Sequence, residues 1–228
     1  MARLGIITGM AFEADILHSA ASRLAEEQRP LIACHGFGRS AARRAALEAV
    51  GAGAEALLSF GICGGLDPAA KSGDVITARE VRDGAQNLVA DVGWTDRMYA
   101  RLGGGLRGAI AHGPRVLTTQ AEKRALFETA KATAVDMESL GIAEIAAMRG
   151  LPFAALRVIA DTAADKLPDV AVAAVTPEGH VRVMKSVMGA LAHPQQIPSL
   201  IWLGRRTKVA REVLVGLADL GLARGFFL

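Results

Sequence analysis

The sequence predicts one α/β domain: a central, mixed but largely parallel twisted sheet flanked by helices. Three observations predict it. Short apolar runs at 4–8, 56–60 and 153–160 read as strands buried on both faces. Helix-like segments alternate with such runs, which favours parallel strands joined by crossovers. The 228 residues are 51% hydrophobic, with mean hydropathy +0.30 and only 4% aromatics, so Ala, Val, Leu and Ile must fill one sizeable core. No internal repeat or low-complexity linker divides the chain, so 1–228 reads as one domain with a helical tail from about 179.

The elements follow in order. Residues 4–8 form the first strand, Gly9 turns the chain, and 10–23 is helical. Glu13 thus lies just past a strand's carboxyl end, where it reads either as a site acid or as a first-turn acid complementing the helix dipole. A second strand at 30–35 leads into Gly36-Phe37-Gly38-Arg39-Ser40-Ala41 and an Ala-rich helix to about Val50. This hexapeptide fits the G-x-G-x-x-G/A dinucleotide pattern, but the next strand lacks the acid that would hold a ribose. The third strand runs into a turn at Gly61-Ile62-Cys63-Gly64-Gly65. Glycines there either let backbone N–H groups approach an anion or ribose, or simply make a turn.

Further strands are predicted at 75–81, 106–111 and 116–118, with a helix at 94–102. Residues 121–131 read as a polar-faced helix exposing Glu122, Lys123 and Glu128. Asp136-Met137-Glu138 then opens a helix that Gly150 stops as a C-terminal cap and Pro152 cannot continue. The run 153–160 is apolar except for Arg157 and ends at Asp161. In open α/β sheets ligands bind outside the carboxyl ends of strands, so Asp161 is a site acid by position; the alternative is a cap on the next turn. Residues 166–177 read as a loop or lid, and 181–191 and 198–220 as helices. The last carries Arg205, Arg206, Lys208 and Arg211 beside an apolar stripe. It reads as peripheral to an anionic membrane, or as packed on the sheet or on a second subunit.

Composition limits the function. The net charge of +3 and pI near 9.1 suit an anionic partner but are too weak to imply nucleic acid. Cys34 and Cys63 read as free thiols of a reducing cytoplasm. The five histidines are scattered and have no zinc spacing, so no metal is expected. The start lacks the pattern of a signal peptide, because Glu13 and Asp15 follow the short apolar run at once. The longest uncharged stretch, 186–204, is broken by Pro194 and Pro198, so no membrane span is predicted.

Parallel strands would carry Glu13, the Gly-rich turn and Asp161 to one edge of the sheet, with Glu138 beside them. Two carboxylates in different environments can act as acid and base, and a third can accept bonds from vicinal hydroxyls such as those of a ribose. Cleavage of an N-glycosidic bond needs those functions, since an oxocarbenium-like sugar is stabilised by carboxylates and the leaving base must be protonated.

The ordered set Gly5-Ile6-Ile7 through Glu13, Gly36-x-Gly38, Gly61-x-x-Gly64-Gly65-Leu66, Gly73-Asp74-Val75, Val135-x-Met137-Glu138 and Arg157-x-x-x-Asp161 resembles the nucleoside phosphorylase/nucleosidase superfamily. The likeness covers residues 3 to 166 and includes methylthioadenosine/S-adenosylhomocysteine nucleosidase. It implies that Asp161 protonates the purine at N7 and that Glu138 holds the ribose hydroxyls with Met137 against the sugar. It implies that Glu13 is the base for an attacking water and that Gly64-Gly65 borders the nucleophile. Ile62 stands where the nucleosidases usually have a small hydroxyl residue, Asp136 where Glu is common, and the base-stacking aromatic expected near Val116 is missing. If phosphate is the co-substrate, Gly9, Arg39 and Ser40 are the candidate cradle; no other cofactor is implied.

Within the superfamily the chain is most similar to the hopanoid-associated phosphorylases. The likeness lies in Thr8-Gly9-Met10-Ala11-Phe12-Glu13-Ala14 and in the tail from Gly179-His180-Val181 to the basic helix. That resemblance implies release of adenine from adenosylhopane. It also implies a homo-oligomer, with a dimer favoured. Two other readings stand beside it: a housekeeping nucleosidase for small thioether nucleosides, and a non-catalytic nucleoside-binding protein.

Overall fold

The structure, a computed structural model, describes residues 3–168, 197–223 and 227. Strands β1 (Leu4–Thr8), β2 (Leu31–Cys34), β3 (Ala56–Gly65), β4 (Val75–Asp83), β5 (Gln86–Val89), β6 (Leu106–His112), β7 (Ala134–Asp136) and β8 (Phe153–Asp161) form one sheet. The helices are α1 (Ala11–Ala21), α2 (Arg39–Gly51), α3 (Val92–Arg101), α4 (Gln120–Ala130), α5 (Ser139–Arg149) and α6 (Ile197–Ala223). The expected helix at 181–191 and most of the loop at 166–177 lie outside the described residues.

The sheet is mixed, as predicted. The pairs β1–β2, β1–β3, β3–β8, β4–β6 and β6–β7 are parallel, and β3–β7, β4–β5 and β4–β8 are antiparallel. β3 pairs with β8 along most of its length and with β7 at its end; β8 in turn pairs with β4, β4 with β6, and β6 with β7. These five strands therefore close a ring, with β2–β1 hung from β3 and β5 from β4.

Alternation along β8 divides the core. Phe153, Ala155 and Ile159 face α2 and α5, where Ala42, Ala45, Ala46, Ala49, Leu140 and Ile142 meet them. Ala154, Leu156, Val158 and Ala160 face α1, α3 and α6 through Leu17, Trp94, Met98, Leu214 and Leu217. Alanines on α2 allow that helix close approach, in keeping with the scarcity of aromatics. A third cluster seats Leu126 and Phe127 of α4 against Ala109, Ala111 and Val135.

Several expectations are corrected. The glycine segment after residue 60 is not a turn. It continues β3 to Gly65, because Gly61 through Gly64 pair with β8, and Gly64 and Gly65 with β7. Residues 116–118 are not a strand. The N–H groups of Thr118 and Thr119 go instead to the Glu122 carboxylate, which with the Thr119 side chain forms a capping box at the start of α4. Lys123 is not exposed but 1% accessible. Asp136 does not open a helix; it ends β7.

The basic helix exists as α6. Its buried residues Ala210, Leu214, Leu217 and Ala218 pack into the core, so that part of its apolar stripe is not free to lie in lipid. Among the described residues no helix is long and apolar enough to cross a membrane.

Candidate active site

β1, β3 and β8 run parallel, and their carboxyl ends meet as the sequence predicts. α1 begins directly after β1, with Glu13 in its first turn. The Glu13 carboxylate folds back to accept from Gly9 N (3.1 Å) and Met10 N (2.9 Å), and reaches β3 to accept from Ile62 N (2.8 Å). Glu13 therefore caps its helix and also enters the site. Gly61 makes room for it. A Cβ there would stand 2.6 Å from both Glu13 Cδ and Arg157 Nη1, and its φ of +152° suits glycine best.

Glu138 sits between β7 and α5 and is 7% exposed. Its Oε1 accepts from Gly38 N at 2.9 Å, so the glycine of the dinucleotide-like pattern serves a carboxylate. Gly9 lies against the same side chain, where a Cβ would come within 2.7 Å of Glu138 Cδ. Met137 Cε approaches Gly38, leaving Met137 half-buried beside Glu138. Asp136 points elsewhere. Its carboxylate accepts from Ser139 N (3.0 Å), Glu138 N (3.3 Å) and the Ser139 hydroxyl, anchoring the start of α5.

The sequence showed Arg157 only as a break in an apolar run, but it is the centre of this group. It is fully buried. Its Nε lies 2.9 Å from Asp136 Oδ2, off the line of a hydrogen bond, and its Nη2 lies 3.6 Å from Glu138 Oε2. Nη2 also donates to Ser59 Oγ at 2.6 Å. Burial opposes its charge, but Asp136, Glu138 and Glu13 hold the guanidinium protonated more firmly than usual. The acids respond to the same balance. Burial raises Glu13 above the ordinary carboxylate range, against the pull of Arg157 and its three N–H donors. Burial lifts Glu138 from 4.5 to about 7, with Arg157 opposing and Asp136 adding to the rise.

Asp161 closes β8 under different conditions. A bulge shifts the pairing so that Cys63 faces Ile159 but Gly64 faces Asp161, leaving Ala160 unpaired and re-aiming the last residue. The Asp161 carboxylate is 3.4 Å from where a Gly64 Cβ would stand, so the glycine gives it access. Lys123 of α4 donates to Asp161 Oδ2, to Thr162 O (2.7 Å) and to Asp165 O (3.1 Å). Burial raises Asp161 above its usual range, and Lys123 opposes the rise.

The remaining candidates divide. Ile62 contributes its N–H to Glu13 and packs its side chain into the core. Gly65 lies in the β3–β7 ladder, not at a free turn. Of the suggested phosphate cradle, Gly9 gives its N–H to Glu13, and Arg39 is committed to Glu144 and Asp83. Ser40 lines an open cleft of about 420 Å³ beside Gly38, with Phe37, Arg44, His112 and Pro114. Cys63 is buried and its thiol is pushed well up by that burial, while Cys34 is half-buried; neither is in a disulfide.

Acids gathered around two buried cations at a strand edge are groups suited to acid–base chemistry, and comparison with known proteins gives the chain its family. A family model described as the phosphorylase superfamily matches residues 3–191. The chain therefore belongs to the phosphorylase superfamily, and it is an enzyme of N-glycosyl bond cleavage. No curated protein matches it.

Among solved structures it is similar to a mutant Helicobacter pylori 5′-methylthioadenosine/S-adenosylhomocysteine nucleosidase with 5′-methylthioadenosine in the active site. That match has TM-score 0.70 and 16% identity, and covers 96% of this chain and 99% of that chain. The nucleosidase of Colwellia psychrerythraea in complex with adenine matches with TM-score 0.63 and 22% identity, over 72% of this chain and 84% of that chain. A futalosine hydrolase mutant of H. pylori matches with TM-score 0.63 and 18% identity, over 70% and 89%.

Proposed function

We propose that this enzyme releases adenine from a 5′-modified adenosine, with adenosylhopane as the leading substrate. The observation that carries the reading is the placement of Glu13 and Asp161 at the carboxyl ends of the parallel strands β1 and β8, with Glu138, just past β7, brought against Gly9 and Gly38 on the same side. Asp161, raised by burial, donates a proton to the purine as the C1′–N bond breaks. Glu138 accepts bonds from the ribose hydroxyls, with Met137 against the sugar. Glu13 takes a proton from the attacking nucleophile.

The described residues favour water as that nucleophile over phosphate. Glu13 occupies the N–H groups of Gly9, Met10 and Ile62, and Arg39 is neutralised by Glu144 and Asp83. The preference for a lipid-linked nucleoside rests on the opening Thr8 to Ala14 and the tail, which are similar to the hopanoid-associated enzymes. The open cleft beside Gly38 gives space next to Glu138 for a 5′ substituent. A second reading, a nucleosidase of methylthioadenosine or S-adenosylhomocysteine, is supported by the similarity to the H. pylori structure.

The test is adenine release from methylthioadenosine, S-adenosylhomocysteine and a hopane-linked adenosine, each with and without phosphate. Release from the hopane-linked member alone is expected. Equal or faster release from the small thioethers would give the enzyme to the second reading. Release that requires phosphate would replace water as the nucleophile. No release from any member would leave a nucleoside-binding protein.

A further inference from the structure

Among the described residues Arg157 and Lys123 are the buried cations; the first acts on Glu13 and Glu138, and the second has been given no role so far. Lys123 is 1% exposed, and all three of its ammonium protons are directed: to Asp161 Oδ2, to Thr162 O and to Asp165 O. The two carbonyls belong to a turn that is itself fixed. Thr162 N donates to Asp165 Oδ2 at 2.7 Å, Asp165 N to Thr162 O at 3.1 Å, and Leu167 N to Thr118 O at 2.9 Å. The ammonium is therefore held in place independently of Asp161 and cannot swing away from it. A lysine is costly to bury, and among the described residues Asp161, through one oxygen, is the only carboxylate it bonds.

We propose that Lys123 is a positioning residue for the proton donor, holding Asp161 Oδ2 so that Oδ1 carries the proton towards the leaving base. This rests on the reading of Asp161 as the acid. In the step itself, the O–H bond at Oδ1 breaks and an N–H bond forms on the purine. The C1′–N bonding pair passes to the base, which leaves neutral. Asp161 is left as a carboxylate beside a cation already in place. The ion pair is thus complete only after proton transfer, so Lys123 stabilises the transition state more than the ground state. Without Lys123, a carboxyl buried in this position would hold its proton too tightly to be a good acid. The other charges near the pair are few. Asp165 adds negative charge, the Cys63 thiol lies near Asp161, and Glu122 on the same helix is engaged by Arg115.

The test compares wild type, Lys123→Met, Lys123→Arg, Asp161→Asn and the double variant Lys123→Met/Asp161→Asn. Each is assayed on the adenine nucleoside that the wild type cleaves and on 4-nitrophenyl riboside, whose leaving group departs without a proton. Lys123→Met is expected to lower kcat/KM for the nucleoside about 10- to 100-fold. The basic limb of its pH profile is expected to move up by about one unit or more. Turnover of 4-nitrophenyl riboside should be nearly unchanged, and Lys123→Arg should recover part of the nucleoside activity.

Adding Lys123→Met to Asp161→Asn should cost little further, since one acts through the other. The double variant also removes both charges, which keeps the test open if Lys123→Met alone folds poorly. Equal loss on both substrates with an unshifted pH profile would reduce Lys123 to a structural anchor and overturn the proposal. Full activity of Asp161→Asn would overturn the acid assignment instead, and the proposal with it.

Discussion

Arg157 and Lys123 are both buried within one site, yet they answer to different sums of charge. Arg157 faces Asp136, Glu138 and Glu13, so one cation stands against three acids. Among the described residues Lys123 bonds one carboxylate, that of Asp161, with carbonyl oxygens taking its other protons. Burial, with the neighbouring Asp136 adding, lifts Glu138 to about 7 against the pull of Arg157. On the proposed reading, the Glu13 and Glu138 side holds a proton on a buried acid, whereas Asp161 and Lys123 become a neutral pair only once Asp161 has given its proton up. The difference teaches that, on the proposed reading, the sugar side and the base side can be tuned separately, because each has its own cation.

The largest effect should come from removing the shared cation. Arg157→Met leaves three acids buried without a counter-charge and is expected to cost about 3–5 kcal/mol of stability. Urea unfolding should show the loss at pH 7 and partial recovery near pH 5, where the orphaned acids take up protons. Stability equal to wild type at pH 7 would break the contrast drawn here. Glu13→Gln comes next, with hydrolysis expected to fall about 100-fold or more while Asp161 keeps its own pH behaviour. A parallel shift of both limbs of the kcat/KM profile would mean that the halves are coupled.

Gly61→Ala places a methyl group between Glu13 and Arg157 and should destabilise by about 1–3 kcal/mol in thermal melts. Its effect on Lys123 and Asp161 should be negligible, which a pH profile can check.

The smallest effect is one of slope. Between 4.5 and about 7 the unfolded chain loses the Glu138 proton while the folded protein keeps it. The native state then binds more protons, so stability falls as pH rises through that window. Glu138→Gln should flatten that fall, and an unchanged slope would place the shared proton elsewhere in the cluster.

Much of this arrangement was legible in the sequence because buried strands announce themselves. The runs ending at Thr8, Phe60 and Ala160 are apolar without alternation, and the acids beyond them stand where a parallel sheet puts ligands. β5 and β7 were not legible: four and three residues long, they give no periodicity to read. The glycines of β3 read as a turn because nothing local says that two other strands will pair with them.

Lys123 left a signal that polarity concealed. With Leu126, Phe127 and Ala130 it occupies positions i, i+3, i+4 and i+7 of one stripe, and that stripe faces the core. Arg157 gave a plainer sign, as the lone charge within an otherwise apolar strand. Asp136 misled for the opposite reason: adjacency to Glu138 suggested that both open a helix, but it ends β7 and its carboxylate turns inward to Arg157 and α5.

The ring of β3, β8, β4, β6 and β7 has a consequence for the order of events in the living cell. Residues that touch across it, such as Ser59 and Arg157, are separated by 98 positions in the chain, and such distant closures are slow to form. Synthesis proceeds from the amino end, so Glu13 and Gly61 emerge long before the strand that gives them Arg157 and Asp161. Until β8 is released, a nascent chain carries Glu13 and Glu138 without the guanidinium that steadies them. On the proposed reading, the site lacks both Arg157 and Asp161 until β8 emerges, and the strand that closes the ring is also the one that completes the site.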